Sequence, residues 1–181
     1  TRQPENRKVK TGAAATFEVQ AGGGGTIRYQ WYRGTAELLG ATSSTLTFGN
    51  AQASDSGNYS VLVENEVSVV VSQEVTLAVL EPVRIVQQPQ SQTARKGDPV
   101  TFSVEATGAG PMKYSWEVDG VAFRQTAIPT LILPGVQPAA AGTYRVRVSN
   151  AIDSVLSAGA ALSVSGPPTI TPLPKILVLN P

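Results

Sequence analysis

The sequence predicts an all-β protein made of two β-sandwiches in tandem. Three observations carry that prediction. The chain repeats itself: Trp31 and Trp116 are 116 − 31 = 85 positions apart, and the same offset relates Gly12 to Gly97, Phe17 to Phe102, Tyr29 to Tyr114, Tyr59 to Tyr144 and Asn65 to Asn150. The repeated segments alternate apolar and polar residues with the period of a strand, and no segment sustains a period of 3.6. Turn-forming residues recur about every eight to twelve positions, the spacing of short antiparallel strands.

Taken in order, "ATFEVQA" (15–21) lies over "VTFSVEA" (100–106), placing Phe17 and Val19, or Phe102 and Val104, on one face of a strand. "TIRYQWY" (26–32) lies over "PMKYSWE" (111–117) and carries the tryptophan of each repeat. "VDGV" (118–121) has the Asp-Gly pair of a tight hairpin. "SGNYSVLVEN" (56–65) lies over "AGTYRVRVSN" (141–150): Tyr and the alternate Val residues face inward, and Ser60, Arg145 and Arg147 outward. The repeats are expected to span 1–80 and 81–166. Pro82 restricts the junction "LEPV" (80–83), so a semi-rigid connection is expected. Shifted by the same offset, 167–181 falls on 82–96, with Pro167 on Pro82, Ile170 on Ile85 and Pro174 on Pro89. That segment is expected to open a third, truncated repeat, or to be a linker. Its "ILVL" (176–179) is expected to pair with a sheet edge by strand addition, giving tail-mediated self-association. The chain is expected to be a piece of something longer.

The net charge is +1, and the basic residues are scattered apart from Arg7, Lys8 and Lys10. Nucleic-acid binding needs a basic footprint that such a chain lacks. No run approaches the roughly 20 apolar residues of a membrane helix, so no membrane insertion is expected. The absence of Cys removes disulfides, thiolate metal sites and cysteine nucleophiles, and the absence of His removes the commonest general base and metal ligand. No cofactor and no enzymatic activity are expected.

These residues resemble the I-set immunoglobulin-like domain: a Gly before strand B, a Trp on strand C, and Asp-x-Gly-x-Tyr followed by Asn at strand F. The likeness covers both repeats nearly end to end and is nearest to cysteine-free bacterial repeats, with phrases such as "QWYRG", "LGATSSTLTF" and "AQASDSGNYSV". It implies a Greek-key sandwich, an extracellular or cell-surface (secreted) setting, and a tyrosine corner in which Tyr59 and Tyr144 each bond to upstream backbone. In the family, a disulfide joins strand B to strand F against the Trp. Here the matching positions are Val19 with Val61 and Val104 with Val146. The implied core is therefore Val19, Trp31, Tyr59 and Val61 in one repeat, and Val104, Trp116, Tyr144 and Val146 in the other. The bridge would contribute roughly 4 kcal/mol through chain entropy, and burying each valine returns on the order of 2 kcal/mol. The exchange frees the fold from oxidising conditions. Asp55 becomes Ala140 in the second repeat, removing a side-chain acceptor before strand F.

The search for chemistry yields no catalytic residue and no metal site. Asp55 reads as a turn cap, because general acid/base work needs a partnered group. Glu64 and Glu66 border a solvated turn, and Glu81 lacks the clustered ligands of a calcium linker. "GGGG" (22–25) lacks the Lys-Ser/Thr and helix of a phosphate loop and reads as a flexible connection. The candidate contact residues are Tyr32 and Leu62, which alternation turns outward; the alternative is ordinary surface cover. At the same places the second repeat has Glu117 and Arg147, expected to form a cross-strand ion pair. The expected role is a structural or adhesive repeat module, a spacer or stalk. The alternative is a module that binds a protein or glycan beside a secreted enzyme or receptor.

Overall fold

The computed structural model describes residues 2–166. The strand expected within 167–181 lies outside them. The described residues gather into two compact units, one of 2–86 with 106–113 and 148–155, the other of 87–105, 114–147 and 156–166.

The sheets follow the sequence repeat. The first repeat forms β1 (Arg7–Lys10), β2 (Ala15–Glu18), β3 (Arg28–Arg33), β4 (Ala36–Glu37), β5 (Thr45–Phe48), β6 (Gly57–Glu64), β7 (Val69–Val71) and β8 (Val75–Leu80). One sheet runs β1-β8-β6-β3-β4, with β7 also on β6, and the facing layer is the antiparallel pair β2–β5. The β1–β8 pairing is parallel, while β6 pairs antiparallel with β3, β7 and β8.

The second repeat forms β9 (Arg84–Gln87), β10 (Gln92–Arg95), β11 (Val100–Ser103), β12 (Glu105–Thr107), β13 (Lys113–Val118), β14 (Val121–Thr126), β15 (Thr130–Leu133), β16 (Gly142–Ser149), β17 (Ser154–Leu156) and β18 (Ala160–Ser165). Its main sheet runs β10-β18-β16-β13-β14 with β17 on β16; β11 pairs β15, and β9 pairs β12.

Sequence alternation becomes burial directly. In β16 the residues Tyr144, Val146 and Val148 are buried while Arg145 and Arg147 are exposed. Each layer contributes its inner row to a core of Phe17, Trp31, Tyr59, Val61 and Leu77 in the first repeat and Phe102, Trp116, Leu131, Tyr144 and Val146 in the second. Such burial stabilises each large apolar side chain by about 1.5–3 kcal/mol. Phe17 packs 5.4 Å from Tyr59 and 6.0 Å from Trp31, and Phe102 packs 4.6 Å from Tyr144, ring centre to ring centre.

Local turns have identifiable causes. Gly12 and Gly97 take φ of 87° and 94°, a region costly for any residue with a Cβ, and their N–H groups donate to Ala51 and Val136. Asp119 and Gly120, both at positive φ, form the tight turn joining β13 to β14. A device not foreseen from the sequence breaks the last strand of each repeat. Ser72 Oγ accepts the Val61 N–H at 3.0 Å, and Ser157 Oγ accepts that of Val146 at 2.9 Å, so a hydroxyl replaces the ladder between β7 and β8 and between β17 and β18.

Two expectations fail. Among the described residues Glu117 and Arg147 do not come within ion-pair distance. Tyr32 pairs with Ser60 in the first repeat, and the same register sets Glu117 across from Arg145, leaving Arg147 a diagonal step away. The run Gly22–Gly25 is also tied down rather than free. Asn65 Nδ2 donates to the Gly24 carbonyl at 2.8 Å, and the Glu66 carboxylate accepts the Thr26 N–H at 3.2 Å. Backbone N–H groups of Glu66 itself and Thr26 hold that carboxyl below its usual range.

Candidate binding face

The sequence-predicted core residues surround the two tryptophans. Val19, Trp31, Tyr59 and Val61 are buried in one repeat; Val104, Trp116, Tyr144 and Val146 are buried in the other. Tyr59 Oη donates to the Asp55 carbonyl at 2.6 Å, and Tyr144 Oη to that of Ala140 at 2.8 Å. Burial raises both hydroxyl pKa values; beside Tyr59, Arg33 opposes the rise and Asp55 adds to it, and beside Tyr144, Asp119 adds to it. Asp55 is engaged as a cap, with Oδ2 accepting the Gln52 N–H at 2.8 Å. Among the described residues no three His, Cys, Asp or Glu side chains gather as a metal site.

Tyr32 and Leu62 are half-buried on the outer face of the β3–β6 sheet. Tyr32 lies opposite Ser60 on β6 and Glu37 on β4, while Leu62 lies opposite Gln30 on β3 and Val71 on β7. Tyr32 and Leu62 are therefore diagonal neighbours, about 7–8 Å apart by strand geometry. The face extends further than the sequence reading placed it. Val71 and Val69, each 58% exposed, continue the outward row, and an Arg28–Glu64 pair at 3.9 Å bounds one end. The signal for them was present in "SVVVS" (68–72): three consecutive valines cannot all face a core in a strand whose side chains alternate. In the second repeat Glu117 stands for Tyr32, Arg147 for Leu62 and Ser154 for Val69, with Leu156 for Val71, so the matching row is largely polar there. A half-buried aromatic beside exposed aliphatic groups suits contact with a flat apolar or sugar surface and offers no group for bond-making chemistry.

The model of the immunoglobulin domain family matches residues 1–65 and 82–150. The chain is 28% identical over 199 residues to human Roundabout homolog 3, spanning 99% of this chain, and 32% identical over 177 residues to Endoglucanase C of Cellulomonas fimi, spanning 92%. It spans only 14% and 16% of the lengths of those two relatives. Among solved structures, Sidekick-1 immunoglobulin domains 1–4 superpose with a TM-score of 0.77 at 20% identity, covering 91% of this chain and 48% of that one. The titin I-band fragment I67–I69 does so with 0.71 at 19% identity, covering 91% and 64%. At such identities the structural likeness shows the fold.

Proposed function

Because this chain belongs to the immunoglobulin domain family, we propose that it is a structural and adhesive repeat module, a spacer or stalk within a larger extracellular or surface bacterial protein, with repeats at 1–80 and 81–166. The observation that carries this reading is the fate of the polar groups singled out for chemistry: Asp55 caps a turn, Glu66 pins a loop, and both tyrosine hydroxyls close corners. What remains is a pair of valine-closed cores in register. Cores that close without a covalent bridge suit export where disulfide formation is unreliable.

A second reading has one specific support. The match to Endoglucanase C takes in 92% of this chain but 16% of that protein, the proportion of an accessory module beside other domains. Under that reading the Tyr32–Leu62–Val71 face holds a glycan or protein for a secreted enzyme or receptor. A glycan array together with a cellulose-retention assay on residues 1–181 separates the two. The spacer reading expects no saturable retention. Saturable binding that Tyr32→Ala abolishes at unchanged melting temperature overturns it in favour of the accessory module.

A further inference from the structure

A cavity of about 500 Å³ opens beside the tyrosine corner of the second repeat, walled by Val118, Phe123, Leu133, Val136, Ala139 and Tyr144. The first repeat shows what crosses the matching place. There Arg33 stands where the second repeat has Val118. Its guanidinium donates to the Ser54 and Ser56 carbonyls, the latter at 2.7 Å. The turn presenting those carbonyls recurs with almost the same backbone. The one-turn 3-10 helix Ala53–Asp55 is entered at Gln52 with φ −110° and ψ 161° and left at Ser56 with −60° and 135°. Its counterpart Pro138–Ala140 is entered at Gln137 with −109° and 163° and left at Ala141 with −61° and 139°.

The second repeat keeps the acceptors and lacks the donor. Val118 brings no polar side-chain atom to the Ala139 and Ala141 carbonyls. It is followed by Asp119 where the first repeat has Gly34, and the two hold positive φ of 50° and 56°. The Asp119 carboxylate reaches the spot that the guanidinium fills in the other copy. A Cβ on Gly57 would stand 3.0 Å from Arg33 Nε, and one on the matching Gly142 would stand 2.6 Å from Asp119 Oδ2. Asp119 Oδ1 accepts the Thr143 N–H at 2.8 Å, which leaves Oδ2 for a further donor. Two carbonyls and a carboxylate oxygen thus face the place of the missing guanidinium, beside an apolar cavity. The corner hydroxyls register the change of charge. Burial raises both pKa values, but Arg33 opposes the rise at Tyr59, whereas Asp119 adds to it at Tyr144.

We propose that this place is a seat for an arginine side chain of a partner protein. The incoming guanidinium stands where that of Arg33 stands in the first repeat. It donates to the Ala139 and Ala141 carbonyls and to Asp119 Oδ2, while an apolar residue beside the arginine enters the cavity against Phe123, Leu133 and Val136. A planar fork with five donors meets several acceptors at once, which a lysine ammonium does less well. Arg124, the one charged residue of β14, rests over the Phe123 ring at 5.4 Å and is exposed. Solvent and salt therefore screen its repulsion of the incoming cation. The seat belongs to the second repeat, unlike the Tyr32–Leu62 face, and it adds a partner to the spacer reading.

The test titrates the peptide acetyl-Gly-Leu-Arg-Leu-Gly-amide into the full chain, followed by calorimetry and amide shifts. Saturable binding with shifts at Asp119, Ala139 and Gly142 is expected. Norleucine in place of the arginine should abolish it, and lysine should weaken it about fivefold. Val118→Arg supplies a guanidinium from the chain's own strand, as Arg33 does, and should abolish binding with the melting temperature equal or higher. Asp119→Asn tolerates the positive φ and keeps an acceptor for the Thr143 N–H, and should weaken binding about tenfold. That variant decides the matter if Val118→Arg lowers the melting temperature. No saturable binding, equal binding of the norleucine peptide, or undiminished affinity in a folded Val118→Arg chain or in Asp119→Asn each overturn the proposal.

Discussion

Trp31 and Trp116 occupy the same place in two copies of one fold, yet their indole nitrogens end differently. Trp31 Nε1 donates to the Ser43 carbonyl at 2.9 Å, whereas Trp116 Nε1 is buried with no partner. The position matching Ser43 is Ile128, whose carbonyl accepts Thr126 Oγ1 at 2.7 Å. Thr126 closes β14, a six-residue strand, while the first repeat has only the two-residue β4 there and a loop through 38–44. A longer hairpin in the second repeat therefore accompanies an orphaned donor, a cost of about 1–3 kcal/mol. The turn before the central strand shows the same divergence with charges reversed. Arg33 donates to the carbonyls of Ser54 and Ser56 in the first repeat. In the second, Asp119 accepts the Thr143 N–H at 2.8 Å, and Pro138 presets the turn. The lesson is that the core positions dictate the fold, while its edges are closed by whatever donor or acceptor the local loop brings.

The largest effect tests what the repeats share. Trp31→Ala and Trp116→Ala should each cost about 3–5 kcal/mol in urea unfolding; a loss below 1 kcal/mol at either site would remove that tryptophan from its core. Next come the corners, where Tyr59→Phe and Tyr144→Phe should each lose roughly 1 kcal/mol. Their titration gives the comparison a pH axis. Both hydroxyl pKa values are raised in the fold, so the stability they contribute is complete below the unfolded value of about 10 and is lost as pH rises through the folded values. Melting temperature measured from pH 9 upward should fall, and the double Phe variant should fall less steeply. The smallest effect lies at the caps. Asp55→Ala should cost about 1 kcal/mol by releasing the Gln52 N–H, and Ala140→Asp should return up to that amount to the second repeat. A destabilising Ala140→Asp would show that Pro138 has made a cap there redundant.

Much of this was legible before any coordinates. The 85-residue offset and the inward Phe, Trp and Val positions depend on local alternation and a repeated register, which a sequence displays directly. The Asp-Gly turn was readable for the same reason; the tyrosine corner came from the resemblance to the I-set family. What stayed hidden depends on which side chain reaches which backbone group across the fold. Nothing in the order of residues shows Thr126 taking the Ile128 carbonyl, Arg33 reaching Ser54 and Ser56, or Asn65 and Glu66 tying down Gly22–Gly25. The Glu117–Arg147 pairing failed because alternation fixes the face but not the register, and one diagonal step separates a pair from a near miss. The candidate contact face was half visible: the outward placement of Tyr32 and Leu62 follows from alternation, whereas Val69 and Val71 join only when β7 is seen alongside β6.

The central claim is that one core has been kept in two repeats while its polar closure has changed. Urea unfolding of Trp31→Phe and Trp116→Phe measured side by side tests it most directly. Both variants lose the same ring volume, but only Trp31→Phe breaks a hydrogen bond and leaves the Ser43 carbonyl without its donor, while Trp116→Phe removes an unpaired N–H. The account predicts that Trp31→Phe is more destabilising by about 1–2 kcal/mol. Equal losses, or a larger loss at Trp116, would contradict it.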